Sequence, residues 1–384
     1  MFHLNFFECF FFVFQIKSTP SSYIDLKKSF FYVRAKVTLE NGDSLPEETV
    51  VTVSVANLWM NSLFQYFEVS LNGKIVSAQQ YYPYIAYLKA FLGNNGSSGE
   101  DMSTALYKEE TDAGLLDANN PGFTFRGKYI QKSQSVEMCG ELFSDIFDID
   151  KYLLPEVELR LKFTRTSNAF NITSSNEGVN YKTVIENAVF YCRKHILTNE
   201  MRDMHKKMLL SKPAIYPFIK SDIKTYLIPK SAQNSVSESL FASSMLPHRI
   251  LIALVKTSAM NGNYQLNPFN FEEFNVSNIT VSVNSDASIY KNHNIEITDS
   301  NRLLAFQMLK QGLVSGFDLN RKKYVDGNNI YYFELAASQA IRAGNVKIEI
   351  LFAKPLEIPV TAIIFSQNQS CFFIDNNYIV SLDS

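Results

Sequence analysis

Short runs in which apolar and polar residues alternate recur along the whole chain and restrict its fold more than any other feature. In the run FFYVRAKVTL, which begins at Phe30, Phe31 and Val33 share one face while Arg34 and Lys36 share the other. A period of two residues is that of a strand, whose successive side chains point to opposite faces. The chain also holds 31 Phe and 20 Tyr against one Trp, and aromatic side chains favour half-buried pleated surfaces. The pattern predicts antiparallel sheets with one buried face.

A hairpin signal and a series of further strand-like runs extend this pattern. The segment 67–78, FEVSLNGKIVSA, centres on Asn72 and Gly73, the residue pair that suits a two-residue turn with positive φ at both positions. Further strands are predicted at residues 136–147, 157–164, 184–193, 224–229, 249–256, 274–284, 330–336, 346–353, 360–366 and 371–380. Short helices are predicted at 84–91 and 301–310. Many short strands favour sandwiches or barrels over parallel βαβ units.

The chain is too long for one compact core, so two domains are expected for its 384 residues. The segment Lys194–Ser211 contains no Pro or Gly and predicts a helix, and Pro213 and Pro217 follow it. The predicted division is an atypical apolar N-terminal segment at 1–21, a first β-sandwich at 22–195, a helical and proline-marked linker at 196–221, and a second β-sandwich at 222–384.

The N-terminal segment Met1–Ile16, MFHLNFFECFFFVFQI, is apolar but contains Glu8. It is shorter than the roughly 20 residues of a membrane span, and it lacks the basic region and cleavage site of a signal peptide. Three interpretations remain open: a targeting or anchoring role, an apolar strand or arm, or an incorrectly assigned start of the coding sequence.

Charge and motifs argue against several functional classes. The net charge of −2 predicts no specific binding of nucleic acid and no attraction to a membrane. The sequence contains no phosphate-binding glycine loop, HExxH motif or GxSxG motif. The four cysteines are far apart and form no CxxC pair. We therefore predict that the chain is not an enzyme, and we assign no catalytic, cofactor-binding or metal-binding residue and no cofactor.

Two groups of titratable residues are candidate sites. His195 and His205 fall on the predicted helix, ten residues and about 80° apart, which predicts surface or linker roles. Asp145, Asp148 and Asp150 precede Lys151 in a segment that predicts a solvated turn. Calcium binding is the alternative for these carboxylates, although the EF-hand spacing is missing.

An ordered set of segments resembles the major capsid proteins of Polinton (Maverick) elements and adintoviruses, including uncharacterised integrated homologues in animal genomes. The most specific pieces are the SLNGK hairpin at 70–74, the YPY segment at 82–84 and the NPFNF segment at 267–271. The matching stretches are 23–38, 57–78, 82–93, 145–166, 246–276 and 344–357, and the resemblance spans roughly residues 22 to 380. The chain departs from the family at Met1–Phe14, where relatives carry a polar arm.

The resemblance implies an all-β double jelly-roll, which is two eight-stranded sandwiches in one chain. It further implies a homotrimer that forms a pseudo-hexagonal capsomer of an icosahedral shell. Neighbouring capsomers and a penton or minor capsid protein would be its partners, and the virion, assembled inside the host cell, its location. No catalytic residue transfers, because the family function is structural.

Three alternatives stay open at this point. The chain would serve as a non-catalytic ligand- or receptor-binding β-sandwich protein if the tyrosines of the run Tyr81–Tyr84 lined a concave site. It would be a β-sandwich hydrolase if two carboxylates converged in a cleft. It would be a non-assembling relic if this copy were a degraded integrated capsid gene.

Overall fold

The computed structural model describes residues 2–4, 10–17, 19–47, 52–93, 101–237, 244–285, 291–298, 302–313, 319–335 and 343–383. Strands of the N-terminal half are β1 (Phe2–Leu4), β2 (Phe11–Ile16), β3 (Ser22–Leu39), β4 (Val53–Val55), β5 (Phe64–Leu71), β6 (Lys74–Gln80), β7 (Val136–Gly140), β8 (Leu159–Arg165), β9 (Ile172–Ser174) and β10 (Tyr181–Ile196). Strands of the C-terminal half are β11 (Ala214–Ile228), β12 (Asn234–Ser237), β13 (Ser244–Met245), β14 (Arg249–Lys256), β15 (Val276–Ser285), β16 (Lys291–Glu296), β17 (Ile330–Glu334), β18 (Ala343–Phe352), β19 (Val360–Ile374) and β20 (Val380–Leu382). The α-helices are α1 (Trp59–Ser62), α2 (Tyr82–Leu92), α3 (Pro121–Tyr129), α4 (Asn168–Asn171), α5 (Asn199–Ser211), α6 (Thr257–Asn261), α7 (Leu303–Gly312) and α8 (Arg321–Val325).

Each half of the chain builds its own pair of antiparallel sheets. Before α5, one sheet has the order β1-β10-β3-β7 and the other β2-β8-β5-β6, with a small β4-β9 ladder beside them. After α5, the orders are β11-β19-β14-β17 and β12-β18-β15-β16, with β20 on β19 and β13 on β18. Among the described residues, no strand of one half pairs with a strand of the other. The chain therefore contains two antiparallel β-sandwiches, as the alternating pattern predicted.

The excess of phenylalanine fills the core of the first sandwich. The ring of Phe31 on β3 stacks on Phe163 of the facing sheet, with centroids 5.0 Å apart. Phe67 covers the other side of Phe163 at 4.3 Å, and Phe14 contacts Phe31 edge-on at 5.7 Å. Such stacked and edge-to-face pairs add to the free energy gained by burying the rings.

Part of the apolar N-terminal segment belongs to this core. Residues 11–16 form β2, which pairs with β8 from Phe11 opposite Thr164 to Ile16 opposite Leu159. Phe12, Phe14 and Ile16 on its inner face are buried. The interpretation as an apolar strand is confirmed for these residues, while residues 5–9 lie outside the described ranges. The predicted separation of residues 1–21 therefore divides β2 from the sheet in which it lies.

Several predicted elements are confirmed. The Asn72-Gly73 turn joins β5 to β6, with φ of 46° and 79° at its two residues. The helices predicted at 84–91 and 301–310 are α2 and α7, and the strand predicted at 249–256 is β14. Local signals sufficed here because turn geometry and side-chain period are properties of short segments.

Other boundaries differ from the prediction. The helix predicted from Lys194 begins at Asn199, because Lys194–Ile196 continue β10 in register with β3 and Thr198 caps the helix by accepting a bond from the Met201 N–H. The predicted strand 360–366 and the first four residues of the one predicted at 371–380 belong to one strand, β19, which pairs with β11 along its whole length. Residues 375–379 leave the sheet, and Val380 begins β20. Pro217, expected to end any regular element, lies inside β11, an edge strand where a missing N–H is tolerated.

Candidate functional region: the junction between the two sandwiches

The two sandwiches meet around α2, where segment 267–271 of the second half packs into the first half. The ring of Phe269 stacks on Tyr87 of α2, with centroids 4.4 Å apart and planes 8° apart. It also contacts Tyr84 edge-on at 5.6 Å, and Phe271 lies 5.9 Å from Tyr87. We call the contact of α2 and Glu110 with segment 267–271 and with β11 the junction. The YPY and NPFNF segments singled out in the sequence therefore lie in contact.

Buried polar groups surround this aromatic contact. Asn267 donates from Nδ2 to Glu110 Oε2 at 2.7 Å and to the Ala113 carbonyl at 3.0 Å. Glu110 forms an ion pair with Arg126, and both side chains are buried. Arg126 also donates from Nε to the Val55 carbonyl at 2.8 Å. Because each buried charge has a partner, the cost of removing it from water is offset.

A second buried ion pair lies where α2 meets the middle of β11. Lys89 Nζ is 2.9 Å from Asp145 Oδ1 and 3.1 Å from Asp148 Oδ2. The side chains of Lys89 and Asp145 are 2% and 1% exposed. The backbone N–H of Ser221 on β11 donates to Asp145 Oδ2 at 2.9 Å. Asp145 therefore connects the two sandwiches. The expected solvated turn is wrong for this residue, although Asp150 is exposed and pairs with exposed Lys27.

Burial and charge act in opposite directions on this pair. Burial lowers the pKa of Lys89, but the carboxylates of Asp145 and Asp148 outweigh it and raise the pKa above its usual value. Burial also raises the pKa of Asp145, against the opposing effects of Lys89 and the Ser221 N–H. Lys89 is therefore protonated at neutral pH, and it holds both carboxylates at one ammonium group.

A cleft of about 500 Å³ opens beside the Lys89 ion pair. Leu26 and Phe147 line it from the first sandwich, and Pro217 and Phe218 line it from the second. A glycosidase-type hydrolase needs two carboxyl groups poised across a cleft. Four carboxyl groups line this one: Asp145 and Asp148 share the Lys89 ammonium group, Asp150 pairs with Lys27, and the fourth is Glu141. The cleft thus lies where the two sandwiches meet.

The hairpin turn reaches the second half as well. Asn72 donates from Nδ2 to the carbonyl of Tyr378 at 2.9 Å, and its Oδ1 accepts from the Glu158 N–H at 2.7 Å. One side chain thereby fixes the turn to its own sandwich and to the C-terminal segment. All three of the most specific segments in the sequence contact the other half of the molecule, a relationship that no local sequence signal contained.

The two histidines assigned to one helix lie on different elements. His195 is on β10, where Nε2 is 3.2 Å from Asp25 Oδ2 and the ring stacks on Tyr152 at 4.6 Å. His205 is on α5, with Nδ1 3.0 Å from the hydroxyl of Tyr23. His205 attaches α5 to the start of β3. Among the described residues, no group of three or more His, Cys, Asp or Glu side chains is placed to hold a metal ion.

The tyrosine run proposed for ligand binding is mostly core. Tyr82 and Tyr84 are buried, and the Tyr82 hydroxyl accepts from Asn61 Nδ2 at 2.9 Å. Tyr81 is partly exposed, and its hydroxyl accepts from Thr225 of the second half at 3.3 Å. These rings therefore pack within and between the sandwiches, and Tyr81 and Tyr84 also line a small cleft of about 240 Å³. Among the described helices, none combines the length and apolar character needed to cross a bilayer.

Comparison with solved structures defines the class to which this fold belongs. The chain is an all-β double jelly-roll, the fold of the major capsid proteins of virophages and giant viruses, and it resembles those proteins along its whole length. The match spans both sandwiches and the α5 connection in a single alignment. The fold-class prediction is confirmed.

Particular relatives are distant in sequence. A chain of the Sputnik virophage superposes with a TM-score of 0.66 at 11% identity, covering 100% of this chain and 87% of that one. The mavirus major capsid protein superposes at 0.59 with 9% identity, covering 97% and 86%. By sequence, the uncharacterized protein F54H12.2 of Caenorhabditis elegans is 20% identical over 392 residues, covering 94% of this chain and 90% of that protein. No protein-family model matches the sequence.

Proposed function

We propose that the chain is a structural major capsid protein of the Polinton and adintovirus kind, which trimerises into pseudo-hexagonal capsomers of an icosahedral shell. One observation carries the proposal: both sandwiches superpose together on a virophage chain with a TM-score of 0.66 and full coverage of this chain. In this proposal the chain has no enzymatic activity. Its partners are two further copies of itself, neighbouring capsomers and a penton or minor capsid protein, and its location is the virion.

The junction supports this role physically. A capsid subunit has to keep its two sandwiches at a constant angle, because neighbouring subunits contact both of them. The stacked Phe269 and the buried Asn267–Glu110 bond join the halves through rigid rings and paired polar groups. Close-packed side chains of this kind are hardly compressible, so a displacement of one sandwich is passed on to the other. We further propose that residues 222–384 and residues 22–195, with β2 added, are the two jelly-roll domains on either side of the 196–221 connection.

The solution mass of the full chain tests the proposal. Light scattering coupled to gel filtration is expected to give three chain masses at micromolar concentration, and electron microscopy of the trimer fraction is expected to show pseudo-hexagonal particles. A strict monomer would overturn the assembly proposal and favour a non-assembling relic or a monomeric binding protein. Deletion of residues 1–21 is a poor test of an arm, because it removes β2 and its buried Phe14 from the first sandwich.

A further inference from the structure

A small cleft opens where the start of α2 meets α4 and α6, on the boundary between the two sandwiches. Its volume is about 240 Å³. Tyr81, Tyr84 and Phe170 line it from the first half of the chain, and Met260 and Asn261 line it from the second half. We call it the tyrosine cleft. Because both halves supply its walls, the cleft forms only when the two sandwiches are packed together.

One buried polar group that belongs to this cleft lacks a partner. Tyr84 is 1% exposed, and its hydroxyl forms no hydrogen bond with any described residue. On the same helix, the hydroxyl of Tyr82 accepts from Asn61 Nδ2 at 2.9 Å and from the Phe143 N–H at 3.2 Å. An unpaired buried hydroxyl is destabilising, so such groups are rare in folded proteins and call for a physical reason. A ligand that brings a donor or an acceptor into the cleft would supply that reason.

Three further polar groups around the cleft are free of bonds within the described part of the chain. They are the side-chain amides of Gln65 and Asn261 and the hydroxyl of Ser167, and all three residues are exposed. Ser167 precedes α4, where a serine hydroxyl usually accepts from a backbone N–H of the first turn, yet it makes no such bond. The next residue after Asn261 is Gly262, whose Cβ, if present, would lie 2.8 Å from the Ser167 hydroxyl oxygen. This close approach brings polar groups of the two halves to the same cleft.

The chemistry of the walls restricts the class of ligand. All the described residues that line the cleft are uncharged, whereas phosphates and carboxylates are usually bound by arginine or lysine, and cations by carboxylates. The nearby start of α2 is not an anion site either, because Pro83 has no N–H and the N–H groups of Tyr84 and Ile85 bond to the Tyr81 carbonyl. The remaining groups are hydroxyls, amides and aromatic rings.

We propose that the tyrosine cleft binds a neutral sugar of one pyranose unit. Each sugar hydroxyl both donates and accepts, as do the amides of Gln65 and Asn261 and the hydroxyl of Tyr84 taken together. The C–H groups on one side of a pyranose pack against the negative face of an aromatic ring, and the ring of Tyr81 is 37% exposed. Sites for drug-sized ligands measure about 300–1,000 Å³, so this smaller cleft suits a single sugar ring.

The sugar site does not rest on the proposed capsid function, because one chain carries every residue of the cleft. If the chain trimerises, one particle presents three clefts, and simultaneous engagement of several sugars on one surface raises the apparent affinity without any new contact. Solution mass and sugar binding are separate measurements, so failure of one proposal is distinguishable from failure of the other.

Saturation-transfer difference NMR of the full chain tests the site. The probes are glucose, galactose, mannose, fucose, N-acetylglucosamine and N-acetylgalactosamine, with N-acetylneuraminic acid as the charged comparison. Saturation is expected to pass to at least one neutral sugar and not to N-acetylneuraminic acid. A glycan array then separates two sources of the same chemistry: binding to immobilised glycans that end in this sugar identifies a glycan, and binding of the free sugar alone identifies a soluble monosaccharide.

Tyr84→Phe removes only the unpaired hydroxyl. This variant is expected to weaken sugar binding about three- to tenfold, the contribution of one hydrogen bond. Its midpoint of thermal unfolding is expected to stay equal or to rise, because no internal bond is lost. Tyr82→Phe is the matched control on the same helix. It is expected to keep the sugar affinity and to lower the midpoint, because Asn61 and the Phe143 N–H lose their acceptor.

A second pair of variants examines the exposed ring. Tyr81→Ala is expected to weaken sugar binding by about fivefold, whereas Tyr129→Ala, which removes a ring that is 42% exposed on α3 outside the cleft, is expected to bind like the unmodified chain. The proposal is overturned if no neutral sugar receives saturation, or if N-acetylneuraminic acid binds more tightly through the same residues. Unchanged sugar affinity in both Tyr84→Phe and Tyr81→Ala would overturn it as well.

Discussion

Lys89 brings a positive charge into the boundary between two sandwiches, where Asp145 and the Ser221 N–H meet it. A buried ion pair contributes little compared with apolar residues of the same shape, because desolvation offsets the attraction. Removing one member is different, since the remaining charge stays buried without its partner. The pair therefore favours one relative placement of α2 and β11, because other placements separate the charges.

Removal of Lys89 alone is therefore expected to destabilise the protein more than removal of a lysine from an exposed ion pair. Lys89→Met is expected to lower the free energy of unfolding by about 3–5 kcal/mol, because it leaves Asp145 buried without a counter-charge. Chemical denaturation followed by far-UV circular dichroism measures the change. Lys27→Met is the control: it removes the same side chain from an exposed pair with Asp150, and a change within about 1 kcal/mol is expected. Equal denaturation midpoints for the two variants would contradict the prediction.

At the scale of elements, the β5–β6 hairpin shows how a local turn is used for a distant contact. Gly73 has φ of 79°, and a Cβ added there would meet no atom within 4 Å. The requirement for glycine is thus one of backbone conformation and not of space. Asn72, also at positive φ, uses its side chain to reach the Tyr378 carbonyl of the other half.

Gly73→Ala is therefore expected to cost about 1–2 kcal/mol in stability, since a residue with a Cβ is strained in the left-handed region. Thermal unfolding by differential scanning calorimetry measures the shift in midpoint. Lys74→Ala, at the exposed first position of β6, places the same side chain in ordinary strand geometry and is expected to change stability by no more than about 0.5 kcal/mol. If the two variants had the same midpoint of thermal unfolding, backbone strain at residue 73 would be ruled out as the cause of any loss of stability.

At the scale of the whole molecule, the aromatic contact couples two sandwiches whose sheets do not share a strand in the described residues. Phe269 is buried and contacts Tyr84 and Tyr87 of the other half. Without such contacts, the α5 connection would leave the sandwiches to unfold independently, as domains with small interfaces do. We therefore expect the two sandwiches to unfold as one cooperative unit.

Phe269→Ala is expected to destabilise the chain by about 3–5 kcal/mol and to split its calorimetric transition into two. The lost ring leaves a cavity beside Tyr87 and removes the coupling between the halves. Phe30→Ala is the control, because its ring stacks on Tyr191 within one sheet, 4.7 Å away, and is half exposed. The control is expected to keep a single transition, and a single transition for Phe269→Ala would argue against the junction as the coupling element.

The sequence by itself determined the features that depend on neighbouring residues. Alternation between apolar and polar residues predicted strands such as β14, and Asn72-Gly73 predicted the hairpin, because side-chain period and turn geometry are local properties. The count of phenylalanines predicted sheet structure before any pairing was known. The two-sandwich organisation followed from the chain length and from the distribution of strands on either side of the connecting helix.

The tertiary structure alone decided which of these elements meet. Asp145 resembled an exposed turn residue, yet it is buried because Lys89 and Ser221, both far from it in sequence, supply its partners. Residues 194–196 suited a helix but continue β10, since pairing with β3 outweighs a weak local preference. Charge burial and strand pairing depend on partners brought close by the folded chain, and no short window of sequence contains those partners.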